Sequence, residues 1–476
     1  MEVIFHFHPG RVLTAGRRSW VALALAVTMA AGLTACSGGG PAVLAVRCTG
    51  HRLAGPDTGD IGTDDVTLAA APAAVAGVPH SAGTVPSTGV PDFLDPVDPG
   101  QGYASHGWDV ERKGPTGGPT QWSVTVRPPG AAPTSSRDAD LALERYTGYV
   151  IAAGGTQGQD IAAVSDQGQA GPACKLPAFD ATDGTVALLP HAGVLITANP
   201  ATPSGGQKDL WLDGYSTATG QRLWSIDTRT SAAEEHIDLV VNGDTVYIWQ
   251  GQTGKVVAYD ARTGHQVWAT GSGTFNPIYP DQNLLGTSDG RVFAVIELVK
   301  GPRIVAMNST TGKIIWTRDV PEPVSDNEIS ISQAGTSLVA VAGAGRRDYL
   351  LRAASGTIVS SLPVQARAGQ PELCTVNGEP AVVVVEDGAL GVLTSSQAGN
   401  KTIPIPPGKQ VDVAVASTMA YVRAEKVSGP VYGYDLATGR RVWAVAVPGS
   451  QPEDPLWAFD GGFAVLGLSG QGLTFR

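Results

Sequence analysis

Short apolar runs alternate with polar, glycine-centred turns along most of the chain, and one unit sets the pattern. In Val256–Trp268, Val256, Ala258 and Val267 are small or β-branched positions that suit a pleated, half-buried surface. Asp260 sits where a carboxylate can fold back onto backbone N–H groups, and Gly264 where φ > 0 costs nothing. The pattern predicts two strands joined by a tight turn, with Trp268 covering the hairpin or wedging against a neighbour. The same unit returns at Leu212–Trp224, Ile304–Trp316 and Val431–Trp443, and Trp224, Trp268 and Trp316 lie 44 and 48 residues apart. A period in the forties built of strands and turns predicts one four-stranded propeller blade per repeat.

The Gly-x-x-x-Trp spacing also occurs at Gly118–Trp122, and Trp122–Val126 echoes Trp443–Val447. Weaker copies keep the period: Ile161–Gly168 with Pro172 in place of tryptophan, Asp348–Gly356 ending at Ser360, and Gly388–Gly399 ending at Ile403. Fourth strands are therefore predicted near residues 122, 172, 224, 268, 316, 360, 403 and 443. After Trp443 there is room for three strands, at Leu456–Phe459, Gly462–Gly467 and Gly472–Phe475, so the strand carrying Trp122 is predicted to complete the last blade. That closure removes two exposed sheet edges. The fold class is all-β: an eight-bladed β-propeller, with seven as the alternative, of four antiparallel strands per blade. The tryptophans are expected to dock between blades rather than to bind a ligand.

These repeats resemble the tryptophan-docking repeat of the PQQ-like propeller family over residues 105–476. Together with the N-terminal features below, they are similar to the propeller scaffold lipoprotein of the outer-membrane β-barrel assembly machinery. Within that resemblance, the quinoprotein dehydrogenases carry a vicinal disulfide, a tryptophan platform and Glu/Asn/Asp ligands for calcium. Cysteines here stand at 36, 48, 174 and 374, none adjacent. No cofactor is expected.

The N-terminus changes the picture. Arg17 and Arg18 precede an apolar run from Trp20 to Leu33, too short to span a bilayer comfortably and suited to a signal-peptide core. Leu33-Thr-Ala-Cys36 resembles a bacterial lipobox, so residues 1–35 are expected to be a lipoprotein signal peptide and Cys36 the lipid anchor. Residues 36–104, rich in Gly, Pro, Ala and Ser, read as a tether. Ala42–Cys48 and Val66–Ala70 are the two pieces able to add a strand to the propeller of residues 105–476.

The chain has 476 residues, 42% hydrophobic and 16% charged, with a net charge of −11. An acidic balance speaks against nucleic acid, whose phosphates need a Lys/Arg surface. No Gly-x-Ser-x-Gly, His-Glu-x-x-His or Walker motif occurs. His51, His80, His106, His191 and His265 read as surface histidines, and His236, flanked by Glu234, Glu235 and Asp238, as part of a solvated loop. Cys48 and Cys174 would staple the tether to a blade in an oxidising exterior, and Cys374 reads as a small core residue.

The connections from each fourth strand to the next first strand hold 17 acidic residues against 7 basic ones. The acids concentrate at Glu234, Glu235, Asp238, Asp326, Glu328, Glu453 and Asp454, an expected ring at one channel mouth that would attract cations or basic segments. No metal site is assigned. The expected function is that of a non-catalytic, monomeric lipoprotein. It would sit on the extracytoplasmic face of the membrane and bind an envelope protein or polymer as scaffold or sensor. The alternative is an envelope enzyme, quinoprotein-like or other, built on the propeller, because fold does not fix function.

Overall fold

The computed structural model describes residues 45–54, 60–61, 73–86, 93–94, 101–114, 120–131, 141–146, 148–154, 160–176, 185–201, 209–231, 239–250, 254–271, 285–288, 290–298, 301–319, 330–333, 338–342, 347–363, 372–376, 379–386, 388–406, 411–424, 429–448, 456–459, 461–465 and 471–476. Among them the only helical element is a single 3-10 turn, Gln397–Gly399; the rest of the regular structure is antiparallel sheet.

Nine sheets follow in chain order. The first pairs Phe93–Leu94, Gly102–His106, Asp109–Lys113 and Thr120–Thr125; the second pairs Ala142–Tyr146, Tyr149–Gly154, Asp160–Ser165 and Ala170–Lys175. The third holds Thr185–Leu189, Val194–Ala201, Asp209–Ser216 and Arg222–Ser231, and the fourth Leu239–Asn242, Thr245–Gln250, Lys255–Asp260 and Gln266–Ala269. Leu285–Ser288, Arg291–Leu298, Gly301–Asn308 and Ile314–Asp319 form the fifth; Ser330–Gln333, Leu338–Ala342, Arg347–Arg352 and Ile358–Pro363 the sixth. The seventh consists of Glu372–Val376, Glu379–Glu386, Ala389–Thr394 and Lys401–Pro404, the eighth of Val411–Ala416, Met419–Ala424, Pro430–Asp435 and Arg440–Ala446. In the ninth, Leu456–Phe459, Gly462–Val465 and Gln471–Phe475 take their fourth strand from Ser81–Pro86.

The tight turns form for the reasons their residues supply. Asp260 Oδ1 accepts the N–H groups of Arg262 and Thr263 at 3.1 and 2.8 Å, while Gly264, at φ 68°, sends its N–H to the Asp260 carbonyl at 2.8 Å. Asn308 repeats the arrangement with Thr310 and Thr311 at 3.1 and 2.9 Å. Each such turn is tied to the first turn of its own sheet, as when the Ala261 N–H meets the Asp244 carbonyl at 2.7 Å. Both turns therefore lie at one end of the sheet.

The core sits between sheets, not within them. Leu212 and Ile196 of the third sheet bury against Val246, Val257 and Tyr259 of the fourth; Tyr247, Val256 and Trp268 of the fourth bury against Val292, Val305 and Met307 of the fifth. Similar clusters join the seventh to the eighth and the eighth to the ninth. A sheet that buries side chains on both faces stacks with a neighbour on each side.

Three expectations are corrected. The strand carrying Trp122 does not close the last sheet: Thr120–Thr125 pairs with Asp109–Lys113 inside its own four-stranded sheet, and the closing strand is Ser81–Pro86, pairing Thr84 with Leu473. The principle of an N-terminal strand completing a C-terminal sheet holds, but the strand lies further upstream. The eight expected fourth strands all exist, yet the first belongs to a complete additional sheet, so nine sheets are present among the described residues. Nor is 36–104 only a tether: Arg47–Thr49, overlapping the expected piece Ala42–Cys48, adds a fifth strand to the second sheet, Asp60–Ile61 adds one to the fourth, and Phe93–Leu94 opens the first, while Val66–Ala70 lies outside the described residues. An edge supplies the ladder that such short segments cannot make alone.

Candidate binding rim

In every sheet that carries the tryptophan, the fourth strand has a β-bulge beside the turn. Gly214 pairs with Trp224 and Tyr215 with Arg222, leaving Leu223 as the extra residue; Val267, Ile315 and Val442 are skipped in the same way, and in the Trp122 sheet the skipped residue is the polar Gln121. A bulge re-aims side chains. Here it turns the indole inward and the preceding residue outward.

The inward half of that arrangement is structural. Trp224 Nε1 donates to the Ala261 carbonyl of the next sheet at 2.9 Å, Trp268 to Ser309 at 2.8 Å, Trp316 to Ala353 at 2.8 Å and Trp122 to Asp166 at 3.0 Å. Each ring lies flat on the glycine of the turn it reaches: a Cβ at Gly312 would fall 2.3 Å from Trp268 Cε3, and one at Gly264 2.7 Å from Trp224 Cδ2. Trp443 differs. It stacks on Phe463 at 5.6 Å, and its Nε1 has no acceptor among the described residues; His80 and Arg476 pair across the ninth sheet where the others have a turn.

The outward half is exposed. Leu223, Val267, Ile315 and Val442 are 50%, 51%, 44% and 55% accessible. They occupy one repeat-equivalent position on strands that end their sheets. Sequence reasoning missed them, although the signal was present: if the tryptophan points into the core, its neighbour in a strand points out.

Where the tryptophan is missing, something else fills its place. Pro172 leaves the turn of the third sheet uncovered, and the N-terminal segment occupies it: Val46 is buried, and a Cβ at Gly220 would fall 2.3 Å from the Val46 carbonyl. That segment is held by the Cys48–Cys174 disulfide, by the Leu53 N–H on the Pro190 carbonyl at 3.1 Å, and by Arg52 Nε donating to the His191 carbonyl. At Ser360 the link is polar: the hydroxyl donates to Asn400 Oδ1 at 2.7 Å, and Asn400 Nδ2 donates to the Ser361 carbonyl at 2.9 Å. Ile403 packs 3.6 Å from where a Gly439 Cβ would stand.

The expected disulfide Cys48–Cys174 is present. His191 is not a surface histidine: it is buried, donates from Nδ1 to the Leu53 carbonyl at 3.2 Å and meets Tyr149 edge-on. His51, His80, His106 and His265 are exposed as expected. Cys374 lies in the first strand of the seventh sheet, opposite Ala381.

Cys36, His236 and the acids Glu234, Glu235, Asp238, Asp326, Glu328, Glu453 and Asp454 lie outside the described residues. Two other acids of the same connections have structural partners: Asp319 pairs with Arg303, which holds its carboxyl below the usual range, and Asp412 accepts the Leu456 N–H. No group of three His, Cys, Asp or Glu able to hold a metal occurs among the described residues.

Burial sets the remaining shifts. It raises the Asp160 carboxyl, with Lys175 Nζ at 3.8 Å offsetting part of the effect, and pushes the Tyr421 hydroxyl up to about 12 despite the hydrogen bond it accepts from the Val75 N–H. Tyr421 packs between the eighth and ninth sheets, its ring 5.6 Å from that of Trp443.

The family model described as outer membrane protein assembly factor BamB matches residues 208–445. No curated protein sequence matches the chain. Similar solved structures include BamB from Moraxella catarrhalis, 14% identical over 63% of this chain and 95% of that one, with a TM-score of 0.35. The computationally designed Ika8 protein is 13% identical over 71% and 95%, at 0.38; a eukaryotic initiation factor is 11% identical over 79% and 94%, at 0.46.

Proposed function

The chain belongs to the family of outer membrane protein assembly factor BamB, whose model covers half of it, and from that premise we propose that it is a non-catalytic scaffold of the cell envelope that binds other proteins. The nine sheets are the blades of one ring, closed by the Ser81–Pro86 strand. The signal-like N-terminus and the cysteine after Leu33-Thr-Ala support a ring on the extracytoplasmic side of a membrane, tethered through a lipid on Cys36.

The observation that supports the binding role best is the repeat of exposed apolar side chains at Leu223, Val267, Ile315 and Val442. Scattered exposed hydrophobes are ordinary. Four at one repeat-equivalent position on open strands form an ordered set of contact points around a rigid frame. The frame itself is fixed between sheets by the docked tryptophans, so contact points on different blades keep their spacing.

The test is photo-crosslinking in native envelopes from residues around the rim, identification of the crosslinked proteins, and reconstitution of the complex from purified components. A partner that binds purified chain directly, with no substrate turned over, is expected. Crosslinks spread evenly over the surface, with no complex on reconstitution, would remove the reading.

A further inference from the structure

The chain is acidic overall, at a net charge of −11, yet one end of its sheets is basic. Each sheet from the third to the eighth sets a lysine or arginine on or beside the turn between its third and fourth strands. In order these are Arg222, Arg262, Lys313, Arg352, Lys401 and Arg440, with Arg441 next to the last. Arg262, Lys313, Arg352, Arg440 and Arg441 are exposed. No acid on these turns is. Asp260 and Asp435 are half-buried and fold back onto the N–H groups of Thr263 and Thr438 at 2.8 and 2.6 Å. Asp213 answers Arg222 at 3.5 Å, Asp244 answers Arg262 at 3.2 Å, and Asp435 stands opposite Arg440. Lys313, Arg352, Lys401 and Arg441 have no acidic partner among the described residues.

These turns share one end of the ring. The docked tryptophans tie each turn to the fourth strand before it, Trp224 to Ala261, Trp268 to Ser309 and Trp316 to Ala353. Ser360 with Asn400, and Ile403 with Gly439, carry the series on. Further along the third and fifth fourth strands the exposed charges change sign, to Asp227 and Asp319.

The chain also enters at the turn end. Val46 covers the Gly220 turn, and the Leu53 N–H reaches the Pro190 carbonyl in the first turn of the third sheet. Ala45 follows Cys36 by nine residues, which span at most about 30 Å when fully extended. Strands of six to eight residues make the sheets about 20–27 Å tall. With the turn end against a bilayer, a lipid on Cys36 needs little of that reach. With the opposite end there it needs nearly all.

We propose that the basic turn end is a docking surface for an anionic bilayer, the membrane that holds the lipid. This deepens the envelope reading and rests on its lipid anchor. A lysine or arginine near an anionic surface adds about fivefold to binding. One acidic segment of a partner protein fits less well, because the cations are spread over six blades and not gathered in a groove. Docked in this way, the ring holds the apolar contact points of its outer strands at a fixed height beside the bilayer, within reach of proteins in the same membrane.

The test uses the full chain extracted from its membrane and reconstituted in nanodiscs of phosphatidylcholine alone or mixed with phosphatidylglycerol. Amine acetylation, read by mass spectrometry, reports contact. Lys313 and Lys401 should label about fivefold or more slowly in the anionic discs, and salt should abolish the difference. Lys255, at the opposite end of the fourth sheet, should label alike in both. Arg352→Gln with Arg440→Gln and Arg441→Gln should weaken docking on the order of a hundredfold and return Lys313 to its neutral-disc rate. These are exposed side chains, so the variant should keep the wild-type circular dichroism and melting.

Equal labelling of Lys313 and Lys401 in the two discs, or protection that survives the arginine variant, overturns the proposal. Protection in native envelopes that is absent from anionic discs makes an acidic protein the occupant and overturns it too. The mass of the N-terminal peptide reads the lipid separately. A bare Cys36 removes the anchor and this proposal together, whereas a lipidated chain with unprotected lysines removes the proposal alone.

Discussion

Replacing Trp268 by alanine should cost about 3–5 kcal/mol, the range of large aromatic deletions from cores. Burying such a side chain removes about 150–250 Å² from water, or about 4–6 kcal/mol at 25 cal/mol/Å² as an upper bound. Trp268 is 7% exposed and touches both the Tyr247 ring and the Gly312 turn. The lost bond to the Ser309 carbonyl adds little, since water can reach an emptied rim. Gly312 turns this into a sharper test.

A Cβ at Gly312 would stand 2.3 Å from Trp268 Cε3, and the residue has φ 67°. Gly312→Ala therefore meets two penalties in the wild type, a clash and about 1–2 kcal/mol of left-handed strain, but only the strain once the indole is gone. The double variant should be more stable than the sum of the two singles predicts, by on the order of 1–3 kcal/mol. Urea titrations of the four proteins, followed by circular dichroism, measure this. Additive losses would refute the docking account.

Three further outcomes follow from the same frame. Cys48→Ser or Cys174→Ser should lower stability by about 2–5 kcal/mol, and reductant should then have no further effect on the denaturation midpoint, whereas it lowers that of the wild type. Deleting Ser81–Pro86 should raise amide exchange first in Gln471–Phe475, the strand it pairs with, while deleting 116–119 leaves those amides unchanged. Tyr421 is held protonated: its hydroxyl stands at about 12 against 10 when unfolded, so its contribution is present below pH 10 and lost as pH rises from 10 to 12, about 3 kcal/mol at most. An alkaline titration of stability, compared with Tyr421→Phe, reads this directly.

Much of the frame was legible because it rests on local chemistry. Asp260, Gly264 and Trp268 lie within nine residues, and each acts in or one turn beyond its own hairpin, so the repeat period could be counted. The N-terminal additions were legible only in part: the piece Ala42–Cys48, able by its residues to add a strand, overlaps Arg47–Thr49, whereas nothing marked Ser81–Pro86. Arg47–Thr49 has three residues and no periodicity, and Ser81–Pro86 has Val85 as its only large apolar residue. Both become strands only because an edge is waiting, and such an edge is not written near them in sequence. His191 looked exposed for the same reason: it sits in a turn, and its partners Leu53, Arg52 and Tyr149 are distant in sequence. The rim residues were half legible, since the alternation that buries Trp443 exposes Val442, but it takes the bulge to show that the same offset recurs in every tryptophan sheet.

The scaffold reading depends on the ring. A rigid scaffold with spaced contact points requires the ninth sheet to meet the first, with Ser81–Pro86 as its outermost strand. A reconstruction of the purified chain by single-particle electron microscopy tests this most directly. Nine radial sheets around a closed channel, with density for residues 81–86 beside Gln471–Phe475, is the predicted result. Eight sheets with the Trp122 strand in that place, or an open arc, would contradict it.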